Sequence, residues 1–287
     1  MLKIGNISDA YFSFENYQEG MALMKKHGYD GFDYQGLGSF KNSPLYKMDE
    51  EERKRYLTDL KNCAKENGLE IYQLHGIWPH VDDTTAEGRE KTIEFFKQNI
   101  IAAKILGCPR VIIHPLMPCL FTGEPFNEEE EFAINEHVLR SLAPVARENG
   151  VTVCLENMPF PRTCAFSYLK NIKKLVSKID DEYIKVCLDT GHFNSVKGNL
   201  YEEICMLGDH LAALHIHDDR HGQDRHLIPF LGEIDWAGFI QALKDISFQG
   251  VISLETQIWA GMPEPIREQM QIALAGLAKW FAVQVDG

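Results

Sequence analysis

Leu188-Asp189-Thr190-Gly191-His192 closes an apolar run with a carboxylate, a turn and an imidazole. Five other apolar runs close in the same way: Leu74-His75-Gly76, Ile113-His114-Pro115, Leu155-Glu156-Asn157, Leu214-His215-Ile216-His217-Asp218 and Leu254-Glu255-Thr256. The leading polar residues, His75, His114, Glu156, Asp189, His215 and Glu255, are 39, 42, 33, 26 and 40 residues apart, about one strand–helix repeat each. In a parallel barrel the C-terminal ends of all strands open on one face, so these side chains are expected to converge there. Imidazole and carboxylate together are ligands of zinc, manganese and related divalent ions.

Working outward, the chain alternates strand and helix from end to end. Strands are expected at Leu2–Ser8, Gly31–Gln35, Glu70–His75, Arg110–Pro115, Val151–Asn157, Ile184–Thr190, Leu211–Asp218 and Val251–Thr256. Most are near-continuous Val, Ile and Leu runs, the pattern of a parallel sheet buried on both faces. Between them lie amphipathic segments such as Tyr17–His27, Asp49–Asn67, Ala86–Leu106, Glu128–Asn149 and Trp236–Ile246. Gly28, Gly68, Gly107, Gly150 and Gly250 each follow such a segment and precede a strand, where glycine supplies the left-handed residue that stops a helix. Asp49 and Asp235 are N-cap candidates. Eight strand–helix pairs point to an α/β fold, a (β/α)8 TIM barrel forming one domain over residues 1–287. An open doubly wound sheet is the alternative. It is disfavoured because no GxGxxG follows the first strand and the polar strand ends come from many strands.

Bulk composition narrows the function classes. The chain has 287 residues, 45% of them hydrophobic, and a net charge of −13. No basic stripe is present to neutralise phosphates, so no nucleic-acid partner is expected. Lys25-Lys26 and Lys173-Lys174 read as exposed helix faces, and Glu128 to Glu131 as the solvated first turn of a helix. No apolar run is long enough to span a membrane, so no membrane partner is expected. Seven cysteines without a CxxC pair, and no signal-like N-terminus, suggest a reducing cytoplasm. Cys154 and Cys187 fall inside apolar strands, as buried thiols do.

Glu156, Asp189, His215 and Glu255 end strands five to eight, neighbours around the ring, and are the expected ligands of a first metal. Three carboxylates and one imidazole suit Mn, Co or Zn. His75, His114, His192, Asp224 and His226 are expected to bind substrate or additional metal; Asp224 and His226 form an Asp-x-His pair in the loop after strand seven. His217 alternates to the same face as His215 and would line the rim. His27, His80, His137, His210 and His221 lack supporting context and read as surface or loop residues. Trp78, Phe160 and Trp259 are candidate walls for a sugar ring, against ordinary packing. Arg162, Arg220 and Arg225 are loop cations able to meet a phosphate or a polyol, and none stands out from a solvated or salt-bridged side chain.

The run from Leu155-Glu156-Asn157 through Leu188-Asp189-Thr190-Gly191-His192 to His215-Ile216-His217-Asp218 resembles the xylose isomerase-like TIM barrel superfamily. That superfamily includes sugar and sugar-phosphate isomerases and epimerases, inosose-processing enzymes and endonuclease IV. The resemblance implies that Glu156, Asp189, His215 and Glu255 bind the metal, that Glu156 and Glu255 are the catalytic acid–base pair, and that His192 helps hold substrate. The tail from Asp224-x-His226 to Gly232-Glu-Ile-Asp235-Trp236 resembles the superfamily's D-x-H…P-G-x-G-x-I-D-W segment, with Phe230 in place of the first glycine. By the same resemblance, His75, His114, Glu156, Asp189, His192, His215, Asp224, His226 and Glu255 match the nine ligands that hold three zinc ions in endonuclease IV. The cofactor expectation is therefore one to three divalent ions.

Three functions follow. The first is a divalent-metal-dependent isomerase or epimerase of a small-molecule sugar or sugar phosphate, acting by proton transfer next to a metal-bound carbonyl. The second is a multinuclear zinc phosphoester hydrolase of the endonuclease IV type. The third is a non-catalytic sugar-binding barrel. The sequence leaves the oligomeric state open, a homo-oligomer included.

Overall fold

The computed structural model describes residues 1–159, 164–220, 222–256 and 258–287. Its eight strands are β1 (Lys3–Ile7), β2 (Gly31–Tyr34), β3 (Glu70–His75), β4 (Arg110–Ile113), β5 (Thr152–Glu156), β6 (Ile184–Asp189), β7 (Leu211–His215) and β8 (Val251–Leu254). They form one parallel sheet ordered β7-β6-β5-β4-β3-β2-β1-β8. An Ile216–Leu254 bridge, with Ile216 N donating to Ser253 O at 2.9 Å, joins the two ends. The ring is therefore nearly closed, and the barrel expectation holds over the open sheet.

The helices are α1 (Tyr17–His27), α2 (Glu50–Glu66), α3 (Ala86–Leu106), α4 (Pro118–Thr122), α5 (Glu128–Asn149), α6 (Leu169–Ile179), α7 (Thr190–Asn194), α8 (Leu200–Leu207), α9 (Trp236–Asp245) and α10 (Glu264–Asp286). Asp49 caps α2 in a reciprocal box with Glu52, and Asp235 caps α9 through Gly238 N. Gly28, Gly68, Gly107 and Gly150 take the left-handed conformation at helix ends. Gly250 does not: α9 stops earlier, and Ser247 (φ 53°) carries the left-handed turn. No helix among the described residues is long and apolar enough to cross a membrane.

The main core lies between strands and helices, with Phe32, Phe96, Phe166, Phe239 and Phe281 among its largest buried side chains. A second, small cluster of Ile112, Cys154, Cys187 and Ala213 fills the barrel interior. Each member lies two residues before a predicted ligand, namely His114, Glu156, Asp189 and His215. Side chains two apart share a face, so that spacing aims the ligands inward one layer above the plug. None of the seven cysteines is in a disulfide.

Candidate metal centre

Four predicted ligands meet above this plug. Glu156 ends β5, Asp189 ends β6 and His215 ends β7, while Glu255 follows β8 directly. One donor atom from each lies within 4.8 Å of the others, and Asp189, Glu156 and His215 are buried. His215 Nδ1 is 2.9 Å from Glu156 Oε1 and 3.2 Å from Glu255 Oε2. On the far side of Glu156, Oε2 lies 3.2 Å from His114 Nε2 and 3.8 Å from His75 Nε2. A further cluster forms beside this set. Asp224 Oδ1 sits 3.3 Å from both His192 Nε2 and His226 Nε2. All nine predicted residues thus come together, and seven of them line one pocket of about 320 Å³.

Three of the histidines are held by their other nitrogen. Nδ1 of His75, His192 and His226 faces the carbonyl of Gly76, Asn157 and Glu255 at 2.8, 2.8 and 2.9 Å. A carbonyl only accepts, so each Nδ1 carries a proton and each Nε2 is turned into the pocket. The buried atoms Glu156 Oε2 and Asp224 Oδ1 accept no hydrogen bond among the described residues. A buried carboxylate oxygen left unpaired is costly, and here each faces two imidazole nitrogens. Carboxylates and oriented imidazoles at these spacings fit a divalent ion of the Mn, Co or Zn kind.

Electrostatics divide the two glutamates. Burial would raise the Glu156 carboxyl, but the imidazoles of His215 and His114 outweigh it and hold it well below the usual range. Glu255 goes the other way, raised by burial despite His215 and His226. Burial pushes His114 down to about 4. Burial opposes the charged form of His192 and His226 as well, yet Asp189 carries the first up to about 10 and Asp224 the second to about 9.

The structure also corrects several expectations. His217 is fully buried rather than on the rim; it stacks on His226 at 4.1 Å, and its Nε2 meets Asp189 Oδ2 at 3.0 Å. Gly191 has to be glycine for this contact, because a Cβ there would press into the His217 ring. His80 is not a surface residue: it is buried against Asp83, 2.9 Å away, whose carboxylate also accepts Met117 N at 2.7 Å. The Asp83 clasp thus ties the loop after β3 to the loop after β4. Trp78 stands edge-on between His80 and His114, at 5.0 and 4.7 Å, and lines the pocket as expected. His27 is buried too, its Nδ1 2.9 Å from the Tyr11 hydroxyl. Glu131, placed in a solvated run, is buried and accepts Ala165 N at 2.7 Å. Trp259 is 73% exposed and walls nothing. Arg220 is exposed and donates to Leu231 O, while Arg225 lines a space beside Glu255 and His226. Phe160, Arg162 and His221 lie outside the described residues.

Two acids were not anticipated. Asp33, inside β2, lies with Oδ2 2.8 Å from His215 Nε2 and 3.2 Å from Gln73 Nε2. Its signal was a carboxylate within the apolar run Gly31–Gln35. Asp218 accepts from Phe230 N, Glu233 N, Ile234 N and Trp236 Nε1 at 2.8 to 3.2 Å, pinning the loop that carries Asp224 and His226. Phe230 holds φ 75° at the glycine-type position, so the loop keeps a left-handed step without glycine. Its ring stacks on Phe281 at 5.6 Å, which offsets the strain.

Comparisons with known proteins give the family and the fold. The family model of the xylose isomerase-like TIM barrel matches residues 21–277. A D-psicose 3-epimerase of Enterocloster bolteae is 25% identical over 264 residues, 88% of this chain and 81% of that protein. An inosose isomerase of Bacillus subtilis is 26% identical over 247 residues, 84% of each. A shorter match, 30% over 172 residues, is to the protein y4fM of Sinorhizobium fredii; it takes in 58% of this chain and about half (53%) of that protein. Among solved structures, IolI with a bound zinc atom superposes with a TM-score of 0.76 at 23% identity, over 99% of this chain and 98% of its own. The chain belongs to the xylose isomerase-like TIM barrel family, whose named relatives here are a sugar epimerase and an inosose isomerase.

Proposed function

We propose that the protein is a divalent-metal-dependent sugar epimerase or isomerase. The observation that carries this reading is the convergence of Glu156, Asp189, His215 and Glu255, with donor atoms within 4.8 Å, beside a pocket that Glu156 and Glu255 line. Relatives named for epimerising psicose and isomerising inosose support it, as does the zinc in IolI. When bound, the ion supplies Lewis-acid stabilisation of the charge that develops as a carbonyl enolises. Glu156, held ionised by His215 and His114, takes the proton from the carbon next to the carbonyl. Glu255, whose carboxyl is raised, returns a proton on the opposite face of that carbon, and epimerisation follows. Return to the neighbouring carbon gives isomerisation instead. His75, His114 and His192 orient the sugar oxygens. Trp78 closes one side of the pocket and keeps water from it.

The pair of facing imidazoles around Asp224 Oδ1 supports a second ion at His192, Asp224 and His226, with His217 alongside. This reading raises the ion count above one without changing the proton transfer. The relatives and the charge disfavour a phosphoester hydrolase. Named relatives act on sugars and inososes, and a net charge of −13 disfavours a polyphosphate chain as substrate.

The test is turnover of psicose, tagatose and inososes by the protein reconstituted with Mn, Co or Zn, run in deuterated water. Deuterium should enter the carbon next to the carbonyl. Cleavage of a phosphodiester without turnover or exchange of any of these sugars would overturn the proposal.

A further inference from the structure

A second, larger space adjoins the metal pocket. The two share Asp9, Gln35 and Ser39, and the neighbouring groove measures about 610 Å³ against about 320 Å³ for the pocket. The loops after β1, β2 and β8 form its walls, together with the start of α10. A pocket of that smaller size is at the lower end of small-molecule sites, and the groove roughly triples the room.

We propose that this groove is a second sugar subsite, so that the substrate is a keto sugar extended by a neutral glycosyl or polyol group. The inference rests on the proposed function, because it places the reacting sugar in the metal pocket. Three observations carry it. Ser13, Asn16 and Asn42 line the groove with hydroxyl and amide groups, which both donate and accept, as sugar hydroxyls require. Tyr11 and Phe14 add half-buried rings, apolar surface against which the C–H face of a pyranose packs. At the junction, Gln35 Nε2 is enclosed and has no hydrogen-bond partner among the described residues. A buried donor without an acceptor is costly. A glycosidic oxygen can only accept, and it would sit where the two spaces meet.

Charge argues against a phosphate there. Arg267 is the one cation lining the groove among the described residues, and it already donates to Ala260 O at 3.3 Å. Asp9 sets a carboxylate in the same groove. Phosphate sites gather several charge-assisted donors, commonly a bidentate arginine, and no such set is found in this lining.

Equilibrium binding separates the groove from the chemistry. The manganese-loaded protein is titrated with sorbitol and with maltitol, which is sorbitol carrying a glucosyl group; neither can react. Maltitol should bind at least tenfold more tightly. Ala260→Trp, in the loop after β8, and Asn42→Trp, in the loop after β2, should each cut that preference to about twofold or less; both positions are exposed, so the larger side chain meets the groove rather than the core. Equal affinity for the two polyols, or a preference that both tryptophans leave intact, overturns the proposal. Turnover of free ketohexoses and of maltulose, a fructose carrying the same glucosyl group, is measured alongside. Maltitol preference without any turnover keeps the groove and sinks the proposed activity; turnover without the preference sinks the groove alone.

Discussion

His215 is held from both sides: Nε2 lies 2.8 Å from Asp33 Oδ2, while Nδ1 faces Glu156 and Glu255. Asp33 comes from β2 and His215 from β7, strands three places apart around the ring. A carboxylate on one imidazole nitrogen fixes the tautomer and makes the opposite nitrogen a better ligand.

Asp33→Asn should therefore weaken divalent-metal affinity by about 10- to 100-fold. Competition with a chelator of known affinity measures this. Unchanged affinity would remove Asp33 from the centre.

Glu156→Gln keeps the shape of the side chain and removes its basicity. Turnover should fall by about 10²- to 10⁴-fold, the range for a lost general base. Glu255→Gln should cost a similar factor. Steady-state kinetics on the best ketose, with circular dichroism as a folding control, decides both. Full activity in either variant removes that glutamate from the proton transfer.

Stripping the metal should cost stability as well as activity. Glu156, Asp189 and Glu255 crowd together with few donors, and an ion that binds only the folded state stabilises it by mass action. At a hundredfold excess over Kd that is about 2.7 kcal/mol. For a chain of this size the melting temperature should rise by about 4–5 °C on adding Mn or Co to the stripped protein. Scanning calorimetry gives the answer, and no shift would mean that no ion binds tightly here.

The His80–Asp83 pair predicts a different signature. Both residues are fully enclosed, and Asp83 also holds Met117 N. His80→Leu strands a buried carboxylate, at a cost of about 3–5 kcal/mol. The double variant His80→Leu with Asp83→Leu should recover part of that loss, because no charge is left unpaired. Urea unfolding of the three proteins tests the ordering; a double variant less stable than the single one would contradict it.

Removing His226 tests the second cluster. His226→Ala should lower bound metal by one ion per chain while leaving the ion at Glu156, Asp189, His215 and Glu255. Elemental analysis after gel filtration reports the count. An unchanged count with a raised KM would instead assign His226 to the substrate.

The sequence by itself determined the strands, the order of the candidate ligands and the face they share. That is because strand periodicity is local: a residue two before each ligand already lies on the barrel interior, as Cys154 does for Glu156 and Ala213 for His215. It also named the candidate ligand chemistry, since side-chain type at a strand end needs no tertiary information. What it did not contain was who meets whom. Asp33 and His215 are 182 residues apart, and only ring closure brings them together. The burial of His80 depends on Asp83 and on a backbone amide from the next loop, so its isolated loop position read as surface. The nitrogen that each histidine turns to the centre was settled by carbonyls of Gly76, Asn157 and Glu255, whose directions follow from the folded backbone. The groove beside the pocket is likewise a product of three loops that are distant in sequence, and only the barrel sets them side by side.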